Sequence, residues 1–362
     1  MDLTGSVYPE KPVVPFIKAT QDRVVLEIQR GCIRGCRFCQ AGMIYRPNRE
    51  KGVKRLKELA QTMLASTGYE EISLSSLSSS DYSDLEELIN FLIEECDKKH
   101  VNISLPSLRI DAFSLDIMQK VQDIKKSSLT FAPEAGSQRL RNVINKGLTV
   151  DNILTGSQED MRAIPELANE IAALYYDTVP KEQRNGKCQI TISTSFFVPK
   201  PFTPFQWATM LDPSDYLARA KIVNDHVKEQ LNHKSIRYNW HEADVTVLEG
   251  ILARGDRKIS KAILYVYEHG EFFDAWSEFF HYDLWLEAFA ACGIDIDFYT
   301  KRARSDDEIF PWDFIDVGVT KAFMLREWKT ALSETVTPNC RMRCSGCGAR
   351  QFGGGVCFEA KN

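Results

Sequence analysis

No stretch of this chain approaches the roughly 20 consecutive apolar residues that a bilayer-spanning helix needs, so a membrane partner is not expected. The opening run Met1-Asp-Leu-Thr-Gly-Ser6 has no basic segment leading into an apolar core, so it does not read as a secretory signal. A cytoplasmic, reducing setting is the expectation. Charge of one sign is also missing. The 45 Lys and Arg against 50 Asp and Glu leave a formal −5, which excludes a global attraction to nucleic acid or an anionic membrane. The sequence contains no phosphate loop, no dinucleotide-binding glycine fingerprint, no serine-hydrolase elbow and no internal repeat. His241-Glu-Ala-Asp244 lacks a second histidine at helical spacing, which excludes a zinc-protease helix. Arg254-Gly-Asp256 reads as an unremarkable tripeptide.

At 362 residues the chain exceeds the size at which one core usually stops growing, about 250–300 residues. A barrel-sized domain with a smaller appendage follows. The ten cysteines are unevenly placed: three within Cys32–Cys39, four within Cys340–Cys357, and Cys96, Cys188 and Cys292 alone. In a reducing compartment clustered thiols read as metal ligands, and the isolated ones as buried small hydrophobes.

Short strands alternate with amphipathic helices in the first half, which argues for βα units and a parallel sheet. The strand-like runs before Pro199 are Val24–Ile28, Ile72–Leu74, Val101–Leu105, Leu129–Phe131 and Gln189–Val198. Helical segments near Ser137–Asn145 and Glu159–Tyr176 lie between the fourth and fifth with no strand between them. The pattern predicts a sheet narrowed to five strands, with Leu129–Phe131 paired in parallel to Gln189–Ser193. From Asp212-Pro213, a helix start with the acid as cap, the chain reads as mainly helical. The aromatic residues between Phe272 and Phe298 read as packed core. The expected division is an N-terminal extension (1–22), a barrel (23–207), a helical region (208–335) and a Cys-rich metal-binding tail (336–362).

Cys32-Ile-Arg-Gly-Cys36-Arg-Phe-Cys39 sets three thiols in one loop just past the first strand, where parallel barrels build their sites. Three thiolates hold three corners of a cubane cluster and leave the fourth iron free. Gly31 and Gly35 let the backbone wrap closely. A structural zinc site is the alternative, although such sites usually pair Cys-x2-Cys units and close with a fourth ligand. Between Arg23 and Lys57 ten basic residues are opposed only by Glu27 and Glu50. That excess suits an anionic reductant or substrate, and equally a solvated helix start.

The Cys-x3-Cys-x2-Cys spacing, with Phe38 before the last cysteine, resembles the signature of the radical S-adenosylmethionine (radical SAM) superfamily. The resemblance implies a 4Fe-4S cluster on Cys32, Cys36 and Cys39, with SAM on its open iron and Phe38 against the adenine. It implies a 5′-deoxyadenosyl radical as the reactive species and an electron donor such as flavodoxin or ferredoxin. Longer runs are similar to an uncharacterised bacterial branch whose members usually carry a cobalamin-binding domain ahead of the barrel. Among them are Ser78-Ser-Ser-Asp-Tyr82, Ala132-Pro-Glu-Ala-Gly-Ser137, Phe197-Val-Pro-Lys-Pro-Phe-Thr-Pro-Phe-Gln-Trp207 and Leu252-Ala-Arg-Gly-Asp256. This likeness implies Ser78, Ser79 and Ser80 near the SAM amine, Arg109 on its carboxylate and Glu134 on the ribose. The sequence departs from the branch in two ways. About 30 residues precede the cysteines, so either cobalamin arrives on a partner chain or this is a shortened variant of the branch. The run Ile153-Leu-Thr-Gly156 is too short for the strand that relatives place there, so the partial parallel (β/α) barrel is expected to be one βα unit short.

Cys340-Arg-Met-Arg-Cys344-Ser-Gly-Cys347 repeats the spacing, and Cys357 adds a fourth thiol after a glycine run. Four cysteines make a closed site, either a second iron–sulfur cluster or tetrahedral zinc, with unliganded thiols as the third reading. Three functional classes remain open at this point. They are a radical SAM enzyme of unknown substrate (RNA, protein or a small molecule, modified for example by methyl or methylthio transfer), a non-catalytic iron–sulfur protein, and a zinc-binding nucleic-acid module.

Overall fold

The computed structural model describes residues 3, 5–17, 19–105, 132–146, 157–184 and 186–353. Strand β1 (Val24–Glu27) alternates buried Val24 and Leu26 with outward Val25. A two-residue strand β2 (Gln29–Arg30) follows, then helix α1 (Gln40–Ile44) and strand β3 (Arg49–Glu50). β2 and β3 pair antiparallel, Gln29 opposite Glu50 and Arg30 opposite Arg49, so both ends of the cysteine loop are tied together. Helix α2 (Val53–Thr67) buries Leu56, Leu59, Ala60, Met63 and Leu64 at helical spacing and ends at Gly68, whose φ of 70° suits the glycine C-cap.

Strand β4 (Glu71–Ser75), helix α3 (Leu85–Asp97) and strand β5 (Asn102–Ser104) complete the first sheet. Its order is β1-β4-β5, all parallel, with Val24 opposite Ile72 and Ile72 opposite Ile103. The alternation of strand and helix dictates that pairing, because a parallel strand needs a crossover, and α2 and α3 supply them. Leu56, Leu88, Ile89 and Leu92 are fully buried between helices and sheet, each contributing about 2 kcal/mol of apolar burial.

Helix α4 (Gln138–Val143) is capped by Ser137, whose Oγ accepts from the Leu140 amide at 3.1 Å. Helix α5 (Gln158–Thr178) opens with a capping box between Ser157 and Asp160. Strand β6 (Ile190–Thr194), helix α6 (Pro213–Glu229) and strand β7 (Ile236–Trp240) form a second parallel unit, Ile190 opposite Ile236 through Thr194 opposite Trp240. Helices α7 (Ala243–Arg254), α8 (Ile259–Glu268), α9 (Tyr282–Ala291), α10 (Ile296–Thr300) and α11 (Lys321–Leu332) follow. The chain therefore has an α/β fold with parallel sheets and no closed barrel among the described residues, followed by a mainly helical region and a Cys-rich tail. Among those residues no helix is long and apolar enough to cross a membrane.

Several sequence expectations are corrected here. β7, a strand that the sequence reading did not single out, lies in the stretch read as mainly helical and pairs with β6. Its alternation (Ile236 buried, Arg237 exposed, Tyr238 half-buried) is there to be read, but over only five residues. Asp212 precedes α6 without capping it, since its carboxylate accepts from Lys301 at 2.9 Å instead. Of the aromatic run, Trp285 and Phe289 are core, while Phe272, Phe273, Trp276 and Phe279 stay about half exposed. Cys96 is buried as expected; Cys188 and Cys292 are partly exposed. The strand at Leu129–Phe131, its pairing with Gln189–Ser193 and the short run Ile153–Gly156 lie outside the described residues.

Candidate functional site

The cysteine loop is built on Gly31. Its φ of 93° is open to glycine, and a Cβ there would sit 2.5 Å from the Tyr45 carbonyl oxygen. Cys32 follows, its sulfur accepting from the Arg34 amide at 3.4 Å. Burial pushes the Cys32 thiol up to about 12, and Cys36, Asp81 and Cys39 add to the rise. Cys39 caps α1, its amide donating to the Cys36 carbonyl at 3.2 Å and its sulfur accepting from the Gly42 amide at 3.3 Å. Amide donors aimed at sulfur stabilise thiolate over thiol and tune a bound cluster.

Two guanidiniums inside the loop anchor it. Arg34 grips Asp81 with two nitrogens, Nε to Oδ2 at 2.8 Å and Nη2 to Oδ1 at 2.5 Å, and so ties the loop to the turn after β4. Arg37 is fully buried and pairs with Glu327 of α11 at 3.1 Å. It also donates to the carbonyls of Asn142, Val143 and Thr335 at 3.1, 3.0 and 2.9 Å. Burial pulls its pKa down and Glu327 pulls it back up. Asn145 donates to the Gly35 carbonyl at 3.0 Å and accepts from the Thr337 amide at 2.8 Å. The loop is thus held by β4, α4 and α11 together.

The C-terminal cysteines lie against the same loop. The Cys340 amide donates to the Ile33 carbonyl at 3.0 Å, joining residues 307 positions apart. Arg46 bonds the carbonyls of Gly42 and Arg34 at 3.0 and 3.1 Å, and its charge acts on the Cys340 thiol. Burial raises the Cys340 thiol, Arg46 opposes that rise, and Cys347 and Cys344 add to it. Cys344 is exposed, whereas Cys347 packs beside Phe323 and Met324. Arg341 reaches Glu50 and Ser83, both at 2.7 Å. Cys357 lies outside the described residues.

The expected SAM contacts are placed unevenly. Phe38 is half-buried against Val143, Phe205, Ala208 and Ala331. Ser78 donates to Asp81 at 2.7 Å, and Ser79 pairs with Ser76 at 2.9 Å, so both hydroxyls brace the turn from inside. Ser80 is half-buried beside them. Glu134, with a φ of 67°, forms an ion pair with Lys146. Arg109 lies outside the described residues. The excess of basic residues around the loop is largely answered in space: Arg23 by Glu71, Arg34 by Asp81, Arg37 by Glu327 and Lys57 by Glu87.

Among the described residues no three His, Cys, Asp or Glu side chains close on a single-ion site. A lone tetrahedral ion needs sulfurs about 2.3 Å from one centre, whereas a cubane takes each thiolate at a separate corner. The donor set here is three partly buried thiols with two amide donors on a glycine-tight loop, and three thiolates are enough for three corners of a cubane.

Residues 26–178 match the model of the radical SAM superfamily. That matched segment is less than half of the chain. It carries the first cysteine loop, the Ser78–Ser80 turn and Glu134, while Cys340, Cys344 and Cys347 fall beyond it. An uncharacterized protein of Methanocaldococcus jannaschii is similar at 30% identity over 285 residues, which is 73% of this chain. The chain spans 61% of that relative's length. Within the matched segment, the sequence reading missed Arg34 with Asp81, Arg37 with Glu327, and Arg46. All three arginines were counted in the basic run, but no local spacing points to partners up to 290 residues away.

Proposed function

We propose that the chain is a radical SAM enzyme in which Cys32, Cys36 and Cys39 hold a 4Fe-4S cluster and SAM takes the open iron. When bound, the cluster and SAM supply one-electron reductive cleavage of the sulfonium, giving methionine and a 5′-deoxyadenosyl radical. The residues of the chain arrange this. Gly31 and the Arg34 and Gly42 amides shape the thiol loop. The Arg34–Asp81 pair fixes it to the end of a parallel strand, where such folds carry their chemistry. Arg37 fixes the other side, its guanidinium being fully buried against Glu327. The observation that carries the reading is three thiols spaced Cys-x3-Cys-x2-Cys on a braced loop inside the matched segment.

We assign Cys340, Cys344, Cys347 and Cys357 to a second centre, an iron–sulfur cluster first and zinc second. Support comes from the Cys340–Ile33 hydrogen bond, which lays the second cysteine group on the first loop. A flavodoxin or ferredoxin is the fitting reductant. The substrate class is an RNA, a protein or a small molecule. The test is metal analysis after anaerobic reconstitution. Cys36→Ala should lose the iron and sulfide of the first cluster and keep those of the tail. Equal content in wild type and variant overturns the assignment.

A further inference from the structure

The radical SAM reading makes no use of Arg254, which closes α7 and is 1% exposed. Its Nη1 donates to the Thr300 carbonyl at 3.4 Å. Its Nε and Nη2 have no hydrogen-bond partner among the described residues. Those two nitrogens form one edge of the guanidinium, the parallel pair of donors that matches two oxygens of an anion. A buried cationic edge with no acceptor is strongly disfavoured unless a ligand completes it.

The surroundings sharpen the case. Arg304, whose side chain is 2% exposed, lies over the rings of Phe310 and Trp312 at 5.3 and 5.7 Å. Its Nε also has no partner among the described residues. Arg302 stands beside them. Glu308 is the carboxylate that acts on this group, and it is already taken. Arg302 holds both its oxygens at 2.8 and 2.7 Å, and Arg304 Nη1 lies 3.3 Å away. Three guanidiniums against that one carboxylate leave a surplus of two positive charges. Burial first, then repulsion from Arg304 and Arg302, pulls the Arg254 guanidinium down to about 9.

We propose that Arg254, Arg304 and Arg302 form a binding site for a dianionic phosphate group. Two charges of surplus match a phosphate dianion, where a carboxylate would answer one. Three unpartnered nitrogens, the Arg254 edge and Arg304 Nε, suit the several oxygens of a tetrahedral anion. Arg302, a third exposed, gives the approach from solvent. The aromatic wall of Phe310 and Trp312 holds the Arg304 plane in place.

The experiment is calorimetric titration of the full chain with inorganic phosphate at constant ionic strength, with acetate and phenyl phosphate as further arms. Saturable phosphate binding is expected. It should weaken at least tenfold in Arg254→Lys, which keeps the charge and removes the two-nitrogen edge. Arg302→Gln, at a partly exposed position, should weaken it as well, and thermal melts check that both variants fold. Displacement of phosphate by phenyl phosphate identifies an ester as the ligand, and failure to displace identifies the free ion. Three results each overturn the site: no saturable phosphate binding by the wild type, acetate binding as tight as phosphate, or unchanged affinity in both variants.

Discussion

Replacing Arg37 by methionine keeps the aliphatic stem and removes the charge. The native guanidinium is fully buried, its partner Glu327 is 5% exposed, and the pair stands 3.1 Å apart. Removing one partner leaves Glu327 as an uncompensated buried carboxylate, which costs about 3–5 kcal/mol. The Asn142, Val143 and Thr335 carbonyls lose their donor too, and a buried acceptor left unmatched costs about 1 kcal/mol or more. Part of that overlaps with the first figure, because Thr337 still donates to Glu327 at 2.8 Å. The expected loss is about 4 kcal/mol. Urea unfolding of the reduced, cluster-free chain, followed by tryptophan fluorescence, reads it directly. The double variant Arg37→Met, Glu327→Met removes both charges and should be more stable than the sum of the single losses by about 2 kcal/mol. A single variant within about 0.5 kcal/mol of wild type, or strict additivity, would refute the view that this pair holds the cysteine loop to α11.

Two further outcomes follow from the geometry. Gly31→Ala should destabilise by about 1–3 kcal/mol and lower iron uptake, because its Cβ meets the Tyr45 carbonyl at 2.5 Å. Gly68→Ala is the control: it shares the positive φ but meets nothing within 4 Å, so equal losses in unfolding experiments would contradict the steric argument. In the cluster-free protein, iodoacetamide at pH 8 should label exposed Cys344 at least about tenfold faster than Cys32. Burial has raised the Cys32 thiol to about 12, so its thiolate fraction, and with it its labelling, should climb as the pH rises towards that value. Mass-spectrometric peptide mapping showing equal labelling at pH 8 would remove the buried-thiol description.

The first sheet was legible because its elements are local. Val24–Ile28, Ile72–Leu74 and Val101–Leu105 each place buried apolar residues at alternate positions, and α2 and α3 show their faces over several turns. The thiol loop was legible for the same reason, with three ligands and two glycines in nine residues. What holds that loop was not. Arg37 finds Glu327, and Cys340 finds Ile33, through contacts that form only once the tail folds back, and no periodicity encodes such a meeting. β7 escaped because a five-residue run with Arg237 and Asn239 on one side carries little hydrophobic signal between two helices. Ser78, Ser79 and Ser80 were set near the SAM amine only by the family likeness. The nearby Asp81 and Ser76 turn the Ser78 and Ser79 hydroxyls inward.

The central claim is that the braced thiol loop carries a cluster able to cleave SAM. The direct measurement is 5′-deoxyadenosine formation by the anaerobically reconstituted full chain given dithionite and SAM. The account predicts its formation by the wild type and none by Cys36→Ala. A wild-type protein with full iron and sulfide at the first site that forms no 5′-deoxyadenosine would contradict it.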